Sequence, residues 1–150
     1  MANNRNRTAG HIFERRCAEL LNSVFPSVVT TRSANIRLDG KKVDLCDEDG
    51  QQLPINVQCK TTISKLNVNK ILESMPDGKR NIIWHKKTKK SKSGRFLVDY
   101  YAIYLHLSTY LWLLDKSTDL LITADHFTQI ISLPEDEFIS VLKQKFKNNE

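Results

Sequence analysis

Glycine is scarce in this chain, and its five scattered copies form no run that could wrap a nucleotide phosphate, which sets aside glycine-rich phosphate loops. The four histidines, His11, His85, His106 and His126, lack H-x-x-x-H or Cys/His spacing, so zinc catalysis and HNH-type chemistry are set aside too. Cysteine is limited to Cys17, Cys46 and Cys59, an odd number without a C-x-x-C pair, so reduced, buried thiols are expected. No apolar stretch approaches the ~20 residues of a membrane span. The opening "MANNRNRTAG" has no apolar signal-peptide segment, and a cytoplasmic location is expected.

What is present suits one globular domain, with 150 residues, 40% of them hydrophobic and 27% charged. The net charge of +6 is unevenly spread, because "KRNIIWHKKTKKSKSGR", Lys79 to Arg95, carries eight basic residues and no acid. Such a stripe can gather a polyanion and release its counterions, or it can be a solvated loop. A second nucleic-acid signal has to decide.

Hydrophobic periodicity gives an alternating α/β order without repeats. Phe13, Cys17, Leu20, Leu21 and Val24 recur at helical spacing, predicting a helix over 8–25 with Thr8 as N-cap. Strands are predicted at 27–32, 41–46 and 53–60, the last two joined by "DEDGQQ". Val68, Ile71, Leu72 and Met75 predict a short helix over 67–76, followed by the turn signal "PDG". A strand over 81–87 leads into the basic loop, 98–107 reads as another strand, and Ser108 is a candidate cap for a short helix ending at Leu114. The last helix is expected near "SLPEDEF", with Pro134 in its first turn, acids at its positive end and Lys143, Lys145 and Lys147 toward the other. Residues 1–7 are expected to form a basic arm, and 147–150 to fray.

Strand geometry singles out three polar residues. Asn56, Gln58 and Lys60 point to one face of their strand while Ile55, Val57 and Cys59 point to the other, and Asp44 on the neighbouring strand can join the polar set. A carboxylate, an amide oxygen and an ammonium suit a hard divalent cation beside a reacting water or phosphate, although exposed polar residues at strand ends often look the same. On the first helix, Glu14 falls at the edge of the apolar stripe and can lean toward the sheet, or it can be a boundary glutamate paired with an arginine. Tyr100, Tyr101, Tyr104, Tyr110 and Trp112 alternate with Ile and Leu, which points to core or a dimer contact more than to base stacking.

Taken together, "GHIFER" (10–15), "TTRS" (30–33), "VDL" and "VQCK" resemble the PD-(D/E)xK nuclease superfamily. Their order is closest to archaeal-type Holliday junction resolvases, and the Gln-x-Lys spelling is similar to Mrr-like restriction enzymes. The resemblance implies a restriction-endonuclease-like mixed β-sheet flanked by helices, an αβββαβ core in a single α/β domain. It also implies a homodimer and magnesium-dependent hydrolysis of DNA, with manganese able to substitute, most fittingly on four-way junctions or other branched DNA in recombination, repair or phage DNA processing. The host would be a bacterial, archaeal or phage-infected cell.

By position, Asp44 matches the central metal-binding aspartate, Glu14 the helix glutamate, and Lys60 the lysine that orients the attacking water. Gln58 stands where the second acid is usual, so the resemblance implies Glu14, Asp44, Gln58 and Lys60 as catalytic, and Glu14, Asp44, Gln58 and Cys59 as the metal-holding positions. It further implies DNA contacts from Arg32, Ser33, Lys41 and Lys42, to which the basic stretch adds Lys86, Lys87, Lys89, Lys90 and Lys92. Val43 replaces the proline of the motif's name. The alternative reading is a domain that has lost activity through Gln58 and binds nucleic acid or a protein; a further one is an Mrr-like restriction endonuclease.

Register carries a geometric expectation. With antiparallel pairing, Asp44 shares a face with Gln58 and Lys60 only where opposed residue numbers sum to an even value. A two-residue turn at Asp49-Gly50 gives an odd sum, so a site on this pattern requires an odd-length connection or a β-bulge between 47 and 54.

Overall fold

An unbroken polar run ahead of the apolar stripe lets the first helix start earlier than Thr8. In the computed structural model, which describes residues 4–76, 80–116 and 129–147, α1 spans Asn4–Leu21. Residues 4–7 therefore belong to a helix, not to an arm, and Thr8 lies inside it. Phe13, Cys17, Ala18 and Leu21 are buried along its inner face, matching the i, i+4 spacing read from the sequence. Helical turns continue to Phe25, whose N–H bonds to the Leu21 carbonyl at 2.8 Å, and Asn22 Oδ1 then accepts the Val28 N–H at 2.6 Å.

The strand expected over 27–32 is shorter. β1 covers only Val28–Thr30 and pairs antiparallel with β2, Leu45–Asp47. Between them lie two helical turns not expected from the sequence, α2 (Thr31–Ala34) and α3 (Ile36–Gly40). Asn35 is the reason for the second: its Oδ1 accepts the N–H groups of Arg37 and Leu38 at 3.1 and 3.2 Å, filling donors that a helix start leaves open.

A four-stranded mixed sheet forms the centre, in the order β3-β4-β5-β6, and helices flank it in a single α/β domain. β3 (Asn56–Thr62) runs parallel to β4 (Asn81–Lys90), so the chain must cross over between them, which it does through α4 (Val68–Ser74). Asp77, Gly78 and Lys79, read as a turn and the start of the basic stretch, lie outside the described residues. β5 (Phe96–His106) and β6 (Ile130–Leu133) complete the sheet antiparallel; β6 was not expected. After β5, α5 (Leu107–Leu113) is capped at His106 and not at Ser108, which is already helical. The strand expected over 81–87 is present and runs three residues further, into what was expected to be loop. β4 runs to Lys90, and a tight turn returns it into β5: Ser91 N–H bonds to Arg95 O, Gly94 N–H bonds to Ser91 O, and Gly94 takes φ +82°.

One face of the sheet carries Val57, Ile82, Trp84, Ile103 and Leu105, packed against α1 and the last helix, α6 (Glu135–Phe146). Ile83, on the other face, packs with Leu72 and Met75 of the crossover. The charge pattern expected for α6 is present, with Glu135, Asp136 and Glu137 in the first turn and Lys143 and Lys145 in the last. Pro134 is its N-cap and Lys147 its C-cap; residues 148–150 lie outside the described residues. No described helix is long and apolar enough to cross a membrane.

Glu135 ties α6 and α1 to the central strand. Its Oε2 accepts from Trp84 Nε1 at 2.7 Å and Arg16 Nη1 at 2.8 Å, while Oε1 accepts from Arg16 Nη2 at 2.8 Å. Trp84 is wholly buried and meets Phe138 edge to face, so its N–H has no water to fall back on. Glu135→Ala is expected to lower unfolding stability by about 2–3 kcal/mol. Urea unfolding at neutral pH measures this, and a loss below about 0.5 kcal/mol would contradict the role given to Glu135.

Candidate active site

Three residues form the turn that follows β2. Asp47 N–H bonds to Gln51 O and Gly50 N–H to Asp47 O, both at 3.0 Å, so 48–50 make an odd-length turn and not a two-residue hairpin. Gly50 adopts φ +78°, and a Cβ there would sit 2.9 Å from the Ala34 carbonyl oxygen, so both conformation and space demand glycine. Further residues are taken up before β3 begins.

The result is that Asp44, just ahead of β2, lies level with Val57. Its N–H donates to the Val57 carbonyl at 2.8 Å, and its Oδ2 accepts the Cys59 N–H at 2.7 Å. Asp44 thus does not join the face of Gln58 and Lys60 by alternation. Its carboxylate is held in the plane of the sheet along the free edge of β3, where both faces can reach it. Because a strand residue's N–H and C=O point the same way, the Cys59 carbonyl lies on this edge as well.

Of the four expected catalytic residues, Asp44 holds that edge, and the Glu14 carboxylate and Lys60 ammonium are near enough to act on its charge. Glu14, 7% exposed, comes from α1. Gln58 and Lys60 leave β3 on the opposite face, level with Ile83 and His85 of β4. Gln58 is 5% exposed and its Oε1 has no hydrogen-bond partner among the described residues. Burial pushes the Asp44 carboxyl up to about 6 from the ordinary 3.8, the Glu14 and Asp39 carboxylates add to the rise, and the Cys59 N–H and the Lys60 ammonium oppose it.

Arg32 and Ser33 are not at a strand end but in α2. Arg32 Nη2 donates to Glu14 Oε1 at 3.2 Å, an ion pair with one partner 40% exposed, and Ser33 Oγ donates to the Thr30 carbonyl at 2.8 Å. Lys41 and Lys42 are exposed in the turn leading to Asp44, Lys42 with φ +67°. The Cys59 thiol turns into the core beside Cys17, where burial and a hydrogen bond to Cys17 push its pKa well up. Only its backbone oxygen is available. His126 lies outside the described residues.

Two residues near the site were not expected. Asp39, at the end of α3, acts on both Asp44 and Arg32; Asn35 as N-cap and Gly40 at the helix end were the cues that place it on a helix. His85 is level with Lys60, 1% exposed, with Nε2 at 2.8 Å from Thr62 Oγ1 and Nδ1 unpartnered among the described residues. Burial lowers its pKa, and the Lys87 charge lowers it further. Its ring nitrogens carry no sequence signal.

Among the described residues, no three His, Cys, Asp or Glu side chains gather as a metal-holding group. Oxygen donors are nevertheless present at one edge, the Asp44 and Glu14 carboxylates and the Cys59 carbonyl, and the unpartnered Gln58 amide oxygen lies on the far face of the same strand. That donor set fits a hard divalent cation of the magnesium or manganese kind. No known protein family, curated protein or solved structure matches the chain.

The raised Asp44 pKa has a stability consequence. A carboxyl that titrates near 6 folded and near 3.8 unfolded binds its proton more tightly in the native state, so it costs stability as pH rises through this window. The cost is absent below about pH 3.8 and reaches roughly 3 kcal/mol above about pH 6. In chelator, Asp44→Asn, which keeps an acceptor for the Cys59 N–H, is expected to gain about 2–3 kcal/mol at pH 7.5 but only about 1 kcal/mol at pH 4.5. Denaturant unfolding at the two pH values checks it; a gain independent of pH would contradict the assignment.

Proposed function

We propose that the chain is a magnesium-dependent DNA endonuclease of the PD-(D/E)xK type, acting on branched DNA in the manner of a Holliday junction resolvase and working as a homodimer. The observation that carries this reading is the Asp44 carboxylate, fixed on the open edge of β3 between Glu14 on one side and Lys60 on the other, and held in a state that an arriving cation would relieve. A mixed sheet with a two-stranded ribbon at its β3 edge supports a restriction-endonuclease-like core.

Asp44 and Glu14, with the Cys59 carbonyl and the Gln58 amide oxygen, would hold the cation. Bound there, it would lower the pKa of a coordinated water and draw charge from the phosphate. The chain's own residues do the rest. Lys60 presents an ammonium where negative charge accumulates on the phosphorane, stabilising the transition state more than the bound substrate. Arg32 neutralises Glu14 until DNA arrives, and its exposed guanidinium is suited to a phosphate. Gln58 supplies an oxygen without charge, which shifts the burden of charge neutralisation to Glu14 and Asp44.

A second reading, a nuclease-like domain that only binds, draws on the same two departures: Gln58 brings no charge, and Arg32 already occupies Glu14. Cleavage of supercoiled plasmid and of a synthetic four-way junction, each with magnesium and with chelator, separates the two. Expected outcomes are metal-dependent cleavage by the parent and its near abolition by Lys60→Ala and Asp44→Asn, with junction binding by Lys60→Ala little changed. Gln58→Glu, which restores a charged ligand at the same chain length, should retain or raise activity. If parent and Gln58→Glu are both inert with magnesium or manganese while folded, the binding reading replaces the enzymatic one.

A further inference from the structure

The basic hairpin has two chemically different faces, and a β-bulge divides them. Register shifts between Lys87 and Thr88, so that Lys87 is level with Tyr100 while Thr88 is level with Val98, leaving Asp99 as the extra residue. Lys87 and Asp99 then meet on one face at 3.1 Å and neutralise each other. Beyond the bulge, Lys90 and Phe96 are level and share the face of Thr88 and Val98. This is the face of Lys86 and of α1.

On this face lies an open groove of about 590 Å³, bounded by Ala9 of α1, by Thr61 and Ile63 at the end of β3, and by Lys86, Phe96 and Val98 of the hairpin. Its exposed surface is apolar and aromatic, Phe96 being 58% and Val98 42% exposed. The one charged residue in its lining is Lys86, and Lys90 stands beside it on the same face. Lys90 lies 5.3 Å from the Phe96 ring centroid, and Lys86 has no ion pair among the described residues. The groove begins at Thr61, which is level with Lys86 and lies on the face of α1 and Glu14, opposite the face that Lys60 takes.

An exposed aromatic ring flanked by unpaired lysines is the recognition chemistry of unpaired nucleotides: every base has a face to stack, and every linkage a phosphate to neutralise. A duplex hides its base faces and gains only the second contribution. We propose that this groove holds a single strand of nucleic acid, one base stacked on Phe96 and its phosphates on Lys86 and Lys90, so that the chain prefers DNA with unpaired nucleotides beside the cleavage point. The proposal rests on the nuclease reading for its role but not for its test.

Binding is measured in chelator, where no cleavage occurs, by fluorescence anisotropy of a labelled 20-nucleotide oligo-dT and of a 20-base-pair duplex. Phe96→Ala should weaken oligo-dT binding about ten-fold and duplex binding less than two-fold, and Phe96→Trp should restore it. Lys86→Ala and Lys90→Ala should each reduce the oligo-dT log-log salt slope by about 0.7. Equal losses on both DNAs, or no loss on oligo-dT with native circular dichroism, would overturn the proposal. So would sedimentation showing that Phe96→Ala disperses a homodimer while oligo-dT affinity is unchanged, because the groove would then be a contact between copies. Failure of plasmid and junction cleavage bears only on the catalytic reading.

Discussion

The clasp between Asp44 and the open edge of β3 is the constraint on which the rest of the candidate site depends. Backbone N–H and carboxylate of one residue take the Val57 carbonyl and the Cys59 N–H, which would otherwise be exposed edge groups. The same residue's carbonyl accepts the Thr31 N–H at 2.9 Å, so β1, α2 and the main sheet converge on it. An aspartate fixed this way cannot move off to solvent when its charge is disfavoured. Its pKa rises instead, and a cation bound as proposed would relieve that tension.

Charge is sorted along the chain by local geometry and not by composition. At the buried end, Glu14, Asp39 and Asp44 crowd together with only Arg32 and Lys60 to balance them. At the exposed end, Lys87 is taken up in an ion pair with Asp99, and the extra residue in β5 brings Phe96 and Val98 to the face of Lys86 and Lys90. The Asp44 edge and the groove meet the same end of β3, the groove on the face from which α1 brings Glu14. A polyanion led along the groove would bring its backbone toward the edge proposed to hold a cation, which is how the two proposals fit together.

Elements with strong periodicity were legible: α1, α4 and α6 sit near the expected positions because the stripes of Phe13, Cys17 and Leu21 or of Phe138, Val141 and Leu142 can be buried only as helices. The two turns α2 and α3 were missed because they are held by single side chains, Asn35 above all, and bury only Thr31 and Leu38. β6 was missed because four residues, Ile130–Leu133, show little alternation and owe their conformation to β5. The basic stretch read as a loop because lysines disfavour strands by propensity, yet pairing with Phe96, Leu97 and Val98 overrides it.

By itself, the sequence determined which residue types could take part: one glutamate on an apolar helix edge, one aspartate after Val43, a Gln-x-Lys on a half-buried strand and a run of lysines, since period and residue chemistry are local properties. The expectation that Asp44 would share the face of Gln58 and Lys60 failed: the turn has odd length, but the residues added after it leave Asp44 level with Val57, the parity a tight hairpin would have given. Where these groups meet was decided only by tertiary structure. The extra residues between Gln51 and Asn56 set Asp44 level with Val57, and the bulge at Asp99 put Phe96 and Val98 on the face of Lys86 and Lys90; both are register effects, fixed when strands pair and invisible in either strand alone.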